Sequence, residues 1–267
     1  MVKQMRIHFY KYHGAGNDFI VFDARKSGLS LTKQQIVRLS DRHFGIGSDG
    51  ILILRNTPMA DFEMQFFNPD GSTGIFCGNG GRCITMFAKH IGVSANDVFS
   101  FTASDGMHFA RVVNPTTVSL KMTDSDNVEI FDDGIWVDTG TSHFVCFVDD
   151  IENTDVFKKG KKLRSDKRFE MHNGANVDFV KILNDKELAV RTYERGVENE
   201  TLACGTGVTA TALAYAVKEN LENGKHLIKV HTVKDDFTVE FNKAGNTFNS
   251  VILTGSAVKV FEGDIVL

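Results

Sequence analysis

Two cysteines in this chain stand at the start of matching glycine-rich stretches, Cys77-Gly78-Asn79-Gly80-Gly81-Arg82 and Cys204-Gly205-Thr206-Gly207-Val208-Thr209. Behind each comes a segment with helical spacing, Cys83 to Ala88 in one case and Ala210 to Val217 in the other. Each cysteine is therefore expected just ahead of a helix N-terminus, where the first backbone N–H groups lack an intrahelical partner and the dipole favours negative charge. Such a position lowers a thiol pKa from its ordinary value of about 8.5, so ionisation near neutral pH is expected. The same N–H groups, uncrowded beside glycine, can hold a carboxylate. One copy alone reads equally well as a turn closed by a small buried hydrophobe. Two matched copies favour a thiolate with an anion cradle.

A nucleophilic cysteine enzyme pairs one thiolate with one base, commonly histidine. Two equivalent thiols suit a reaction that is itself nearly symmetric: removal of a proton from one face of a carbon and its replacement on the other. Two coupled thiols sharing one proton supply the base and the acid together, with pKa values that belong to the pair. Two helix N-termini aimed at an α-carboxylate would support the negative charge that grows there.

The elements around these stretches repeat. Gly14-Ala15-Gly16-Asn17-Asp18-Phe19 is echoed by Asn173-Gly174-Ala175-Asn176-Val177-Asp178-Phe179. The alternating strand Phe62 to Phe67 runs into the turn Asn68-Pro69-Asp70-Gly71, and the strand Leu188 to Tyr193 runs into Glu194-Arg195-Gly196. Asn68 precedes Cys77 by nine positions and Glu194 precedes Cys204 by ten, which reads as a duplication. The expected halves are 1–120, carrying Cys77, and 121–255, carrying Cys204. Each presents its cysteine across a pseudo-dyad, and the tail 256–267 is a strand returning to the first half. Thr32 and Gln35 form a capping-box pattern that opens a helix. Asp124 and Asp126 lack the glycine of a calcium loop and read as a solvated turn, and Lys158 to Lys162 reads as a charged exposed edge.

With 267 residues, 42% hydrophobic and 24% charged, the composition is that of a globular chain with a sizeable core, and 22 phenylalanines are assigned to that core. A net charge of −4 provides no basic field for nucleic acid, so a small-molecule partner is expected. No apolar run reaches membrane-spanning length, and Met1 to His8 shows no secretory core. A cytoplasmic location follows as the expectation, with the four cysteines reduced and no membrane partner.

His13-Gly14-Ala15-Gly16-Asn17-Asp18-Phe19, Asn68-Pro69-Asp70-Gly71-Ser72 with the first cysteine stretch, and Tyr193-Glu194-Arg195-Gly196 with the second are similar to the signatures of the diaminopimelate epimerases. The resemblance runs over nearly the whole chain. It implies an α+β fold of two similar pseudo-symmetric domains, each an antiparallel β-sheet wrapped around a central α-helix. It implies interconversion of L,L- and meso-diaminopimelate without cofactor or metal, in lysine and peptidoglycan synthesis, with a homodimer as an admissible assembly. Cys77 and Cys204 would be the acid/base pair, with His143 and Glu194 beside them. Gly78, Asn79, Gly205 and Thr206 would hold the reacting carboxylate, while Asn17, Asn68, Asn176, Glu194 and Arg195 would bind the rest of the substrate. The chain departs from the family pattern in three places. Thr141-Ser142-His143 stands where Asn-Pro-His is common, Gly50 where glutamine is common, and 197–200 is one residue longer.

A proline or hydroxyproline racemase on the same fold is the nearest rival, although it would leave the asparagine set with nothing to bind. A metal or redox protein lacks support from any Cys-x-x-Cys, and His226 and His231 have opposite strand parity. A non-catalytic amino-acid binder and pyridoxal phosphate dependence are the remaining alternatives. The thiol pair makes the latter unnecessary.

Overall fold

A computed structural model describes residues 6–267; the reading of the amino end rests partly on residues 1–5, outside the described residues. The chain forms two compact units, Met1–Leu120 with Ser256–Leu267, and Lys121–Gly255.

In the first unit β1 (Arg6–Gly14) and β2 (Asn17–Asp23) make an antiparallel hairpin, with Ala15 and Gly16 at positive φ in the turn. Next comes α1 (Lys33–Ser40), opened by the full capping box: Thr32 accepts from the Gln35 N–H, and Gln35 takes the Thr32 N–H. Strand β3 (Gly50–Arg55) lies parallel to β2, and β4 (Phe62–Phe67) returns antiparallel to β3. Helix α2 (Gly78–His90) leads to β5 (Val98–Ala103), parallel to β4, and then to the antiparallel meander β6 (Gly106–Asn114) and β7 (Thr117–Lys121).

The second unit repeats this order. Strands β8 (Val128–Phe131), β9 (Gly134–Asp138) and β10 (Ser142–Phe147) are antiparallel. Helix α3 (Val156–Arg164) and a 3-10 helix (Lys167–His172) cross to β11 (Asn176–Asn184), parallel to β10, and β12 (Glu187–Glu194) pairs back on it. Short β13 (Asn199–Thr201) folds onto the end of β12. Helix α4 (Gly205–Lys218) crosses to β14 (Gly224–His231), parallel to β12, followed by antiparallel β15 (Asp236–Ala244) and β16 (Thr247–Ser256). The last strand, β17 (Val258–Val266), belongs to the first unit and pairs antiparallel with β1.

The fold is α+β with two internally similar units. Its hairpins are antiparallel, as expected, but each helical crossover adds a parallel pair, so the strand pairing within each unit is mixed. The reason is directional: a chain that leaves one end of a sheet and travels back through a helix re-enters in its original sense. Lys158 to Lys162 form a charged exposed stretch, as expected, and it is helical. They lie in α3, capped by Asp155, with Gly160 packed on Tyr193 while Lys158, Lys159, Lys161 and Lys162 stay exposed.

Helices α2 and α4 are enclosed rather than amphipathic. Asn79 through Ala88 are all buried in α2, as are Gly207 through Ala216 in α4, the pattern of a helix with packing partners all round. The aromatic core closes over the shorter helices: Phe9, Phe22, Ile36 and Leu39 around α1, and Phe144, Phe169, Phe179 and Tyr193 around α3. No helix among the described residues is long and apolar enough to cross a membrane.

Glycine sets how closely α4 approaches its sheet. A Cβ on Gly207 would lie 2.5 Å from Asp178 Oδ1 and 3.2 Å from Thr192 Oγ1. Gly207→Ala is expected to lower stability by about 1–3 kcal/mol through overpacking. A reduced urea midpoint at unchanged slope will show it.

Candidate active site

In the first unit, Cys77 is the N-cap of α2 in extended conformation, and its thiol does not cap its own helix. The sulfur lies 3.7 Å from Asn17 Oδ1, which also accepts from Asn79 Nδ2 at 3.3 Å. Both amides are oriented from their far ends. Fully buried Arg82 donates to Asn79 Oδ1 at 2.7 Å, and Asn17 Nδ2 donates to Asp49 Oδ2 at 3.1 Å. Because a guanidinium only donates and an ionised carboxylate only accepts, the chain from Arg82 to Asp49 permits one direction of both amides, with the Asn17 oxygen turned to Cys77. Arg42 grips Asp49 and Asp18 together, and Lys11 pairs with Asp18 from the buried side. Burial pushes the Asp18 carboxyl up, but hydrogen bonds from Arg42 and Lys11 outweigh it and hold the group well below the usual carboxylate range.

Of the other residues expected in this half, Gly78 is the first residue of α2, while Asn68 is tied into its own turn, donating to Ser72 Oγ at 3.0 Å.

In the second unit, Cys204 is the N-cap of α4, with Gly205 its first residue. Cys204 Sγ lies 3.3 Å from Thr206 Oγ1, which lies 2.9 Å from His143 Nε2. His143 Nδ1 is 2.7 Å from Asp178 Oδ2, both side chains fully buried, and Thr192 donates to Asp178 Oδ1 at 2.7 Å. An acceptor-only carboxylate at Nδ1 assigns the proton to that nitrogen and leaves Nε2 as the acceptor. Strand register makes these meetings: His143 sits opposite Asn176 across the parallel pair of β10 and β11, and Asp178 sits opposite Thr192. Asn176 Oδ1 accepts from the Arg195 backbone N–H at 2.8 Å. Arg195 itself anchors Nη1 on the carbonyls of His172 and Gly174, so part of the expected carboxylate fork serves the local loop.

The expectation of a readily ionised thiol does not hold at Cys204. Burial pushes its pKa well above the ordinary thiol value, the charges of Glu194 and Asp178 push the same way, and the Thr206 hydroxyl and Gly207 N–H oppose them. Desolvation and two carboxylates outweigh the helix terminus. Glu194 is raised too, chiefly by its own burial. Cys83 and Cys146 are buried thiols, the latter pushed up to about 12, as expected of packed structural cysteines.

Sequence reasoning named the residues at the sulfurs and missed those that aim them: Arg82, Asp49, Asp178 and Thr192. One signal was present. Arg82 is a charge inside the apolar run Cys83-Ile84-Thr85-Met86-Phe87, and a cation that must be buried needs a designated acceptor.

Glu194→Gln removes one of the charges that keeps the Cys204 thiol protonated, so the thiolate should form at lower pH. Iodoacetamide should then alkylate Cys204 faster at pH 7 to 8, followed on its own peptide by mass spectrometry.

Comparison with known proteins agrees with this architecture. The family model described as diaminopimelate epimerase matches residues 9–128 and 135–260. The diaminopimelate epimerase of Flavobacterium psychrophilum is 40% identical over 260 residues, covering 96% of this chain and 99% of that protein. That of Aquifex aeolicus is 37% identical, covering 96% and 97%. Among solved structures, a PhzF-family phenazine biosynthesis protein of Bacillus anthracis superposes with a TM-score of 0.76 at 17% identity, covering 98% of this chain and all of that one. A hydroxyproline epimerase from Agrobacterium vitis superposes at 0.68 with 15% identity, covering 100% and 93%. These two likenesses are of fold. By the family match and by its full-length relatives, the chain belongs to the diaminopimelate epimerase family.

Proposed function

We propose that the chain interconverts L,L- and meso-diaminopimelate, with Cys77 and Cys204 as the two acid/base groups, in lysine and peptidoglycan precursor synthesis. The observation that carries the reading is the repeated cysteine at the head of an enclosed helix, once in each unit, in a chain of this family. One thiolate takes the α-proton while the other thiol returns a proton to the opposite face. Burial and the charges of Glu194 and Asp178 favour the protonated form of Cys204, which suits it to deliver a proton. The backbone N–H groups of Gly78, Asn79, Gly205 and Thr206 would hold the α-carboxylate, supporting the charge that develops beside the carbon. Asn17, Asn68, Asn176, Glu194 and Arg195 would bind the remaining amino and carboxyl groups. His143 would fix Thr206 beside Cys204. The thiols supply both proton-transfer groups, so the reading needs neither cofactor nor metal. It also places the chain in the cytoplasm, where thiols stay reduced.

With L,L-diaminopimelate in deuterated water, the new isomer should carry solvent deuterium while unreacted substrate stays protiated at early times. Equal early labelling of both pools would remove the two-base assignment. Cys77→Ser and Cys204→Ser should each lose about 100-fold or more in kcat with an unchanged circular dichroism spectrum, because an alcohol is a far poorer base than a thiol. Turnover of proline in preference to diaminopimelate would overturn the substrate.

A further inference from the structure

Thr141 stands where the family pattern commonly has asparagine, and its hydroxyl points at the same nitrogen as that of Thr206. His143 Nε2 has Thr206 Oγ1 at 2.9 Å and Thr141 Oγ1 at 3.0 Å, with Asn176 Nδ2 farther off at 3.3 Å. Asn176 Nδ2 is also engaged by Ser142 O at 3.2 Å. A neutral imidazole nitrogen has one lone pair, so the two hydroxyls cannot both donate to it well.

This competition is coupled to the protonation of Cys204. While Cys204 is a thiol, its S–H donates to Thr206 Oγ1, and the Thr206 O–H donates to His143 Nε2. Once Cys204 is a thiolate, the Thr206 O–H turns to the sulfur, and the fully buried Nε2 loses its shortest contact, keeping Thr141 Oγ1 at 3.0 Å and the longer Asn176 Nδ2 at 3.3 Å. A buried acceptor left to one long contact recovers less of its desolvation cost than one with a short hydrogen bond. We propose that Thr141 is a positioning residue which donates to His143 Nε2 in the thiolate state, so that Thr206 can follow the proton on Cys204 while the histidine keeps a short hydrogen bond. The inference rests on the reading of Cys204 as an acid/base group. The charged groups of the second unit that act on Cys204 are Asp178 on β11 and Glu194 on β12, and His143 on β10 reaches it through Thr206; none of them changes in the variants below.

The penalty falls on the thiolate alone, so removing the Thr141 hydroxyl should raise the Cys204 pKa. Below that pKa the rate of alkylation by iodoacetamide follows the thiolate fraction. In the full-length protein, Thr141→Val and Thr141→Ala should slow labelling of the Cys204 peptide by about tenfold at fixed pH, a one-unit shift. Labelling of Cys77 in the same molecules serves as the internal reference. Thr141→Ser should label like the wild type, and Thr141→Val should have no further effect in a Thr206→Val background. Wild-type labelling in both Thr141→Val and Thr141→Ala, failure of serine to restore the rate, or an equal slowing in the Thr206→Val background would each overturn the proposal. The readout is ionisation rather than turnover. A failure of the epimerase reading would therefore appear in the isotope experiment and leave this result standing.

Discussion

Everything in the two candidate sites depends on one constraint: parallel strands cannot be joined by a tight turn. Where β4 is followed by a parallel β5, and β12 by a parallel β14, the chain must cross over, and in both units it does so through an enclosed helix. In both units the helix begins after the same interval, residues 68–77 following β4 and residues 195–204 following β12. The cysteine at the last position before each helix is thereby its N-cap. The glycine at 207 serves the packing, since a methyl group there would collide with the Asp178 carboxylate.

Once the sulfurs are placed, their chemistry is set by directional hydrogen bonding. In the first unit two amides are threaded between a buried guanidinium and a carboxylate, and the polarity of those ends determines which atom of Asn17 meets Cys77. In the second, a carboxylate at His143 Nδ1 determines that Nε2 accepts, and hydroxyls rather than amides carry the contact onward to Cys204. An amide held at both ends is a fixed element. A hydroxyl can exchange donor for acceptor by rotating about one bond. The two thiols thus sit in environments of different adaptability, a difference that the proposed acid/base pair would use.

Much was legible from short-range pattern. The helix starts at Cys77 and Cys204, the cap at Thr32 and the turn at Asn68-Pro69-Asp70-Gly71 are governed by neighbours within a few positions, and local geometry follows from them. The internal repeat was equally readable, because a duplicated order of elements leaves spacing behind. The mixed character of the strand pairing was less so. Strand direction depends on how far the chain travels before it pairs again, which alternation along a single strand does not record.

Sequence alone thus determined the types of chemistry available: two thiols, two glycine cradles and a histidine with polar neighbours. Tertiary structure decided which form each group takes. The ionisation of Cys204 is reversed from its local expectation by burial and by Asp178 and Glu194, carboxylates brought in on other strands. His143 meets Asp178 only because β10 and β11 pair in one register, and a slip of one residue would turn every side chain to the other face. Helix propensity and capping act over one turn of chain, whereas desolvation and charge act through space, and only the folded chain sets those distances.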